Sequence, residues 1–453
     1  MYLRQVSVLV LVAVGALSAT AQGRDGSVSL TQKSLTVAEL FSLVESNSSS
    51  LQAAKTGVQF ADLGVASAKT DRLPDVSTSL SASFNGNVLI TNREFGDVHG
   101  YHAPHFGNSF ALEARQTVYT GGAQSAAVRM AEIGREQALA GVDEARRQVR
   151  FVALGQYLDL LKLSNGMQVY EHNIRLTERL IDNIREKHAQ GMVLLNDVTR
   201  YELQMETLRL GLRKLSDQRS ILNHQLCTTL RLAEGTQIVP ADDVTDGFQQ
   251  AVPAGEPDAA CPADASMDAV PAEPPSLRMA RLNVEQARQH ERMAKSERRP
   301  KVAFFAIDQL AGPFTYDIPP VDKNVNYWCV GIGLTYNLSA LFKNSSKIRQ
   351  AHTDTQRQNQ LETLEQERFG NDMQSAETLY KQSYVEWQTQ QKSVELATQN
   401  YQIVNDRYLN QLALVTDMVD ASNLKLNAEL QEVNARIGII YAYYRIKYIT
   451  GTI

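Results

Sequence analysis

The chain is poor in cysteine. Three in 453 residues (Cys227, Cys261 and Cys329) are too few for a disulfide framework, and their odd number leaves at least one thiol unpaired. A Cys227–Cys261 bridge is compatible with an oxidising compartment. HExxH, GxSxG and P-loop patterns are missing. Gly331-x-Gly333 lies in a strand-like segment and does not open a helix, so it fails the dinucleotide context. Nothing marks a catalytic, cofactor or metal site. Strong charge is lacking as well: a formal net charge of −5 argues against nucleic acid as a partner. After residue 21 no apolar run reaches the ~20 residues a transmembrane helix needs. Any contact with a membrane must therefore come through a β-barrel or the protein surface.

What is present begins with an export signature. Arg4 supplies a positive start, Val6 to Leu17 form an apolar stretch, and Ala19-Thr20-Ala21 fits a small-x-small cleavage site. Residues 1–21 are expected to be a removed signal peptide, and no cysteine follows the site to carry a lipid.

The chain repeats itself at an offset of 220 residues. Gly191-Met192-Val-Leu194-Leu195-Asn-Asp197 aligns with Gln411-Leu412-Ala-Leu414-Val415-Thr-Asp417, and Val128-Arg129 aligns with Ile348-Arg349. Such a duplication means two copies of one structural unit. Between them, residues 234–276 hold Pro240, Pro253, Pro257, Pro262, Pro271, Pro274 and Pro275, nine acidic residues and no Lys or Arg. A stretch this poor in large apolar residues cannot offset its ordering entropy by burial, and reads as a linker.

Each copy reads as a helix, two strands around a loop, a very long helix, a turn and a long returning helix. A first helix is expected from about Leu35 to Arg72, ended by Pro74; Pro300 plays the same part in the second copy. Val76, Thr78, Leu80, Ala82 and Phe84 alternate with serines and Asn85. Trp328, Val330, Ile332, Leu334, Tyr336 and Leu338 alternate with Tyr327, Cys329, Gly331, Gly333, Thr335 and Asn337. Ten-residue strands, apolar on one face and small-polar on the other, suit a transmembrane barrel wall, although a half-buried soluble sheet shows the same period. Trp328 and Tyr336 stand towards opposite ends of one strand, as membrane-interface aromatics do. Four strands cannot close a membrane barrel, so spanning requires oligomers.

From Gly121-Gly122 to Gln190 no proline interrupts the helical pattern, and the matching stretch runs from Lys343 to Asn410. The returning helices carry seams at 3-4 spacing: Val198, Tyr201, Met205, Leu208, Leu212, Leu215, Leu222 and Leu226 in the first, and Leu426, Leu430, Val433, Ile437, Ile440 and Tyr444 in the second. The expected segments are 1–21 signal, 22–73 helical, 74–119 strand pair, 120–233 long hairpin, 234–275 linker, 276–299 helical, 300–338 strand pair and 339–453 long hairpin. The fold class is mainly α with a small transmembrane β part.

At this point the sequence resembles the TolC-like outer membrane efflux protein family. The resemblance rests on the duplicated plan, the strand–Tyr119-Thr-Gly-Gly122–helix junction and the repeated tip motif. It implies a homotrimer whose chains each give one third of a twelve-stranded barrel in outer-membrane lipid, continued by a periplasmic α-helical tunnel. It also implies a periplasmic adaptor and an inner-membrane transporter as partners. Function would be export from periplasm or pump to the exterior, in tripartite efflux or type I secretion, without enzymatic activity. A periplasmic adaptor and a non-conducting coiled-coil scaffold are the alternatives.

The same resemblance assigns Gly191, Met192, Gln411 and Leu412 to adaptor-contacting tips. It assigns Asp417, Asp420, Asp197 and Tyr408 to a periplasmic gate. Asp417 and Asp420, three apart on a helix, point one way. The family's latch arginine is missing, because Ala413 stands in its place. His99, His102 and His105 crowd one loop without a rigid frame for metal and read as a polar surface.

Overall fold

The computed structural model describes residues 32–233, 235–241, 273–315, 317, 319–410 and 412–453. The expected signal peptide, most of the linker with Cys261 and its suggested bridge to Cys227, and Gln411 lie outside the described residues.

The described chain opens with β1 (Gln32–Leu35), α1 (Val37–Asn47) and α2 (Ser49–Thr70), which corrects the single helix expected from Leu35. Thr36 starts α1 with a capping box: its hydroxyl accepts from Glu39 N at 3.3 Å while Glu39 Oε2 accepts from Thr36 N at 3.1 Å. Ser48 leaves the helical region (φ −64°, ψ 120°), and its hydroxyl accepts from Leu51 N to start α2. Two capping signals outweighed a continuous apolar pattern. After α2 come β2 (Asp75–Phe84), β3 (Val88–Ile90), β4 (His99–Tyr101) and β5 (Phe106–Tyr119). The first hairpin is α3 (Ala123–Ala189) and α4 (Leu195–Leu230), and β6 (Gln237–Pro240) follows it. The second half holds α5 (Pro275–Ser296), β7 (Lys301–Gly312), β8 (Val325–Thr335), the short turn α6 (Ala340–Lys343), α7 (Ser345–Leu409) and α8 (Val415–Thr450).

The 220-residue offset holds in the backbone. Both returning helices have 36 residues, starting at Leu195 and Val415 and ending at Leu230 and Thr450. Arg231 (φ 51°) and Gly451 (φ 79°) end them in the left-handed conformation. Leu232 N and Thr452 N each close the motif at 2.9 Å, on Cys227 O and Lys447 O. The outgoing helices have 67 and 65 residues, roughly 100 Å each.

β1 and β6 pair in parallel, from Gln32↔Gln237 to Leu35↔Pro240, so residues expected in the linker are part of a sheet. The pair is buried at Leu35 and Ile238, and Tyr157 Oη donates to Leu35 O at 2.8 Å. Around it lies the main core, where Leu40, Leu154, Leu226, Leu230, Ile439 and Ile446 from α1, α3, α4 and α8 are all fully buried. Each such side chain contributes ~1.5–3 kcal/mol.

The larger sheet has the order β2-β5-β7-β8, antiparallel throughout, with β2 and β8 as open edges. Its register puts even-numbered residues on one face. Leu80 pairs with Phe110 and Phe110 with Leu310; Phe304 pairs with Ile332, and Ala306 with Val330. Leu80, Phe84, Trp328, Val330, Ile332 and Leu334 all stand exposed on this face. Asp308 interrupts it beside Trp328 at the loop end, held by Asn326 Nδ2 at 2.8 Å. The opposite face carries Ser77, Ser79, Ser81, Ser83, Ser109, Glu113 and Arg115. The register also explains adjacent phenylalanines: Phe304 joins the apolar face, while Phe305 lies across Gly331 on the other. A Cβ on Gly331 would come within 2.7 Å of the Phe305 ring. The sheet joins α3 through Gly121 and Gly122 (φ 71° and 97°), and Arg299 Nη1 donates to Gly121 O at 3.1 Å.

Candidate functional site at the hairpin tips

The first tip turns through Gly191 at φ 75°, a conformation that glycine adopts without a Cβ penalty. Met192 N reaches Lys187 O at 3.0 Å, and the His188 Nδ1–H donates to Val193 O at 2.8 Å. The second tip repeats the backbone bond, Leu412 N to Arg407 O at 2.8 Å, but Arg407 Nη2 takes the place of the imidazole by donating to Leu412 O at 3.4 Å. Met192, Leu194, Leu195, Leu412 and Leu414 are exposed, so both tips present apolar ends.

Above the turns the two hairpins pack on each other. Ile181, Ile184, Val198, Tyr201 and Met205 of the first bury against Tyr408, Val415 and Met418 of the second. The Tyr201 and Tyr408 hydroxyls are both buried and have no hydrogen-bond partner among the described residues. Burial pushes the Tyr201 phenol well above its ordinary value, and the neighbouring Tyr408, Tyr401 and Asp197 add to it. Burial, then Asp197, raises Tyr408, and burial raises Tyr401. Lys187 Nζ lies 5.3 Å from the Tyr408 ring centroid and Lys425 Nζ 5.0 Å from that of Tyr401, both within cation–π range. A cavity of about 380 Å³ opens between the tips, lined by Lys187, Asp197, Arg200, Tyr408, Ala413 and Leu414 among others. The cations on this cavity come from the first hairpin, across from Ala413.

Asp197 and Asp417 each occupy the third position of their helix, where a carboxylate faces free N–H groups and the positive end of the dipole. Asp417 Oδ2 accepts from Leu414 N at 3.0 Å. It therefore caps its own helix. Asp420, one turn on, is exposed and forms no hydrogen bond or ion pair among the described residues. Asp197 is half-buried beside the tyrosines, so it and Tyr408 belong to the inter-hairpin contact, while Asp417 and Asp420 stand on an exposed face.

No protein-family model matches the chain, and no curated protein sequence matches it. Solved structures do. The outer membrane protein VceC from Vibrio cholerae matches with a TM-score of 0.72 at 15% identity, over 92% of this chain and 96% of that one. The outer-membrane channel OprN gives 0.75 at 15%, over 92% and 90%. The Campylobacter jejuni CmeC outer membrane channel gives 0.70 at 13%, over 92% and 85%. The chain has the TolC-like channel fold.

In the TolC-like fold of this chain, exposed Trp328 lies on the apolar face near the loop end of β8, and exposed Tyr336 is the first residue past the strand's other end. No helix among the described residues is long and apolar enough to cross a membrane, and no group of three or more His, Cys, Asp or Glu among them could hold a metal ion. In the histidine loop, His105 stacks on Phe84 at 5.3 Å and His99 pairs with Asp97 at 3.3 Å.

Two features escaped the sequence reading. Tyr201 entered it only as a seam residue, and its burial at the tip depends on the other hairpin. A polar cross-tie also joins the hairpins: buried Asn173 donates to Glu429 Oε2 at 2.9 Å, and Lys425 Nζ lies 3.6 Å from Glu429 Oε1. Asn173 and Glu429 are 256 positions apart, and no local signal pairs them. The Asp417 cap was legible, since an acid three residues into a helix is a start signal.

Proposed function

We propose that this chain is the outer-membrane channel subunit of an export machine, assembling as a homotrimer and hydrolysing nothing itself. One observation carries the reading: a four-stranded sheet with one largely apolar face and two open edges stands on helices roughly 100 Å long. A sheet with such a face needs lipid on that side, and its edges need partners. Three copies supply twelve strands, and the helices continue the conduit into the periplasm. An inner-membrane transporter working through a periplasmic adaptor provides the energy, and the apolar tips at Gly191-Met192 and Gln411-Leu412 are the adaptor contacts. Asp420, with Asp417 below it, forms acidic rings that attract cations and hold the tunnel's periplasmic end under mutual repulsion. Asp197 and Tyr408 hold the neighbouring hairpin contact.

Heat-modifiable trimers in the outer-membrane fraction and single-channel currents in planar bilayers test this. The Asp417→Ala/Asp420→Ala protein should conduct more than the parent. A purified trimer without current, even in that variant, refutes the channel and favours a scaffold. Recovery from the inner-membrane fraction favours an adaptor.

A further inference from the structure

The joint between strand and long helix differs between the two copies. In the first, Gly121-Gly122 makes it tight against Arg299. In the second, positions offset by 220 hold Leu341 and Phe342, and the chain inserts the turn α6 before α7. Its hydrogen bonds run from Ala340 N to Asn337 O (3.1 Å), Leu341 N to Leu338 O (3.2 Å) and Lys343 N to Ser339 O (2.9 Å). Leu338, Leu341 and Phe342 thus fall at i, i+3 and i+4, on one side of a turn. They are 64%, 45% and 67% exposed, although Ala340 between them is buried. The back of the turn is pinned: Asn344 Nδ2 donates to Glu297 Oε2 at 2.6 Å, and Arg298 Nη2 donates to Ser345 Oγ at 3.2 Å. Three large apolar side chains are held outward by design of the backbone.

Leu338 follows directly on β8, three residues past the strand's end at Thr335, beyond the even-numbered apolar residues Trp328, Val330, Ile332 and Leu334. The exposed apolar patch thus lies at the base of β8, next in the chain after exposed Leu334 and Tyr336. Exposed Lys343 and Lys347 follow on the helix, and exposed Lys301 pairs in register with Thr335 at the base of the neighbouring strand. Apolar residues dipping past an aromatic, rimmed by lysines whose stems lie along apolar surface, are the composition of an interfacial membrane contact.

We infer that residues 338–347 form a lipid foot. Leu338, Leu341 and Phe342 insert at the headgroup–acyl boundary of the periplasmic leaflet, and Lys343 and Lys301 face phospholipid phosphates, while Lys347 pairs with Glu297 at 3.6 Å. The foot fixes the depth of the sheet and adds, at positions 341 and 342, apolar contacts where the first copy has its glycine pair. The inference rests on the channel reading, and its occupant is phospholipid.

The test uses the whole purified protein in phosphatidylethanolamine/phosphatidylglycerol vesicles doped with phosphatidylcholine brominated near the headgroup. Wild type reports on Trp328; a Trp328→Phe/Phe342→Trp variant reports on position 342. Trp387, about 60 Å down α7, serves as an emitter beyond the reach of lipid bromine. The expected result is loss of most of the Trp328 component in wild type and a comparable loss from the tryptophan introduced at 342. If Trp328 is quenched and position 342 is not, the foot is wrong and the channel reading stands; unquenched, blue-shifted emission at 342 would place a second copy over the patch. If neither is quenched, both readings fall. Leu341→Trp in the same background gives an independent reading should the first variant fail to assemble.

Discussion

Asp417 and Asp420 are one helical turn apart and carry the same charge, yet the structure separates their roles. Asp417→Ala removes the acceptor of the 3.0 Å bond from Leu414 N and a negative charge from the first turn of α8. Losing such a cap costs ~1 kcal/mol, and losing the dipole interaction ~0.3–1 kcal/mol more. The sum, about 1–2 kcal/mol, corresponds to a roughly 5–30-fold rise in the population of locally opened tip. Asp420→Ala removes no bond and places a better helix former in the helix interior, so the second tip should stay as protected as in the parent or become slightly more so. Hydrogen exchange read by mass spectrometry on peptides spanning 412–420 distinguishes them. Exchange in Asp417→Ala should speed up by that factor while Asp420→Ala stays at or below the parental rate. If the proposed acidic rings form, current in bilayers should rise in both, because both lose charge from them. Equal exchange in the two variants would refute the capping role and return Asp417 to the gate alone.

Other expectations can be checked directly. Tyr201→Phe removes a buried hydroxyl that lacks a partner among the described residues, so it should leave the tip as stable or stabilise it by ~1 kcal/mol in thermal melts; a clear loss would reveal a bond to a neighbouring chain. Burial raises Tyr201, Tyr401 and Tyr408 above the ordinary value of 10.0, so their contribution is fully present below pH 10 and is lost as pH climbs through the raised values. Tip protection should therefore collapse in strong alkali, and Tyr201→Phe should shift that collapse to higher pH. Gly331→Ala drives a Cβ into the Phe305 ring and should cost ~1–3 kcal/mol, lowering the heat-dissociation midpoint, with Phe305→Ala relieving much of the added loss. Gly191→Ala meets no neighbour within 4 Å, so only its φ of 75° opposes it; ~1–2 kcal/mol of loosening should appear as faster exchange at the first tip alone.

The duplication was legible because both tips must solve the same turn, and the leucine before the helix and the Asp at its third position are local requirements that both copies keep, although Gln411 replaces the glycine. The strands were legible for a similar reason: a period of two survives any arrangement of neighbours. Register was not. Phe304 and Phe305 blur the alternation of β7 until Gly331 on the next strand is known to lie opposite Phe305. The β1–β6 pair was missed because four residues carry no period, and because Pro240 sat in a stretch whose composition argued for a linker. At the tips the exposed residues were readable one by one. Their partners were not: Tyr201 and Asn173 acquire their roles only when two segments more than 200 positions apart are laid together.

The inequality of the two tips has a consequence for symmetry. A ring of six identical half-length chains would present six equivalent ends, and any partner would meet the same surface every sixty degrees. Fusing two halves into one chain and letting them drift breaks that equivalence. In the proposed trimer, three such chains would present ends that alternate in kind: Arg200 with its glycine turn, then Asp420 without one. A partner can then grip one set while leaving the other free to move, which no strictly six-fold ring permits.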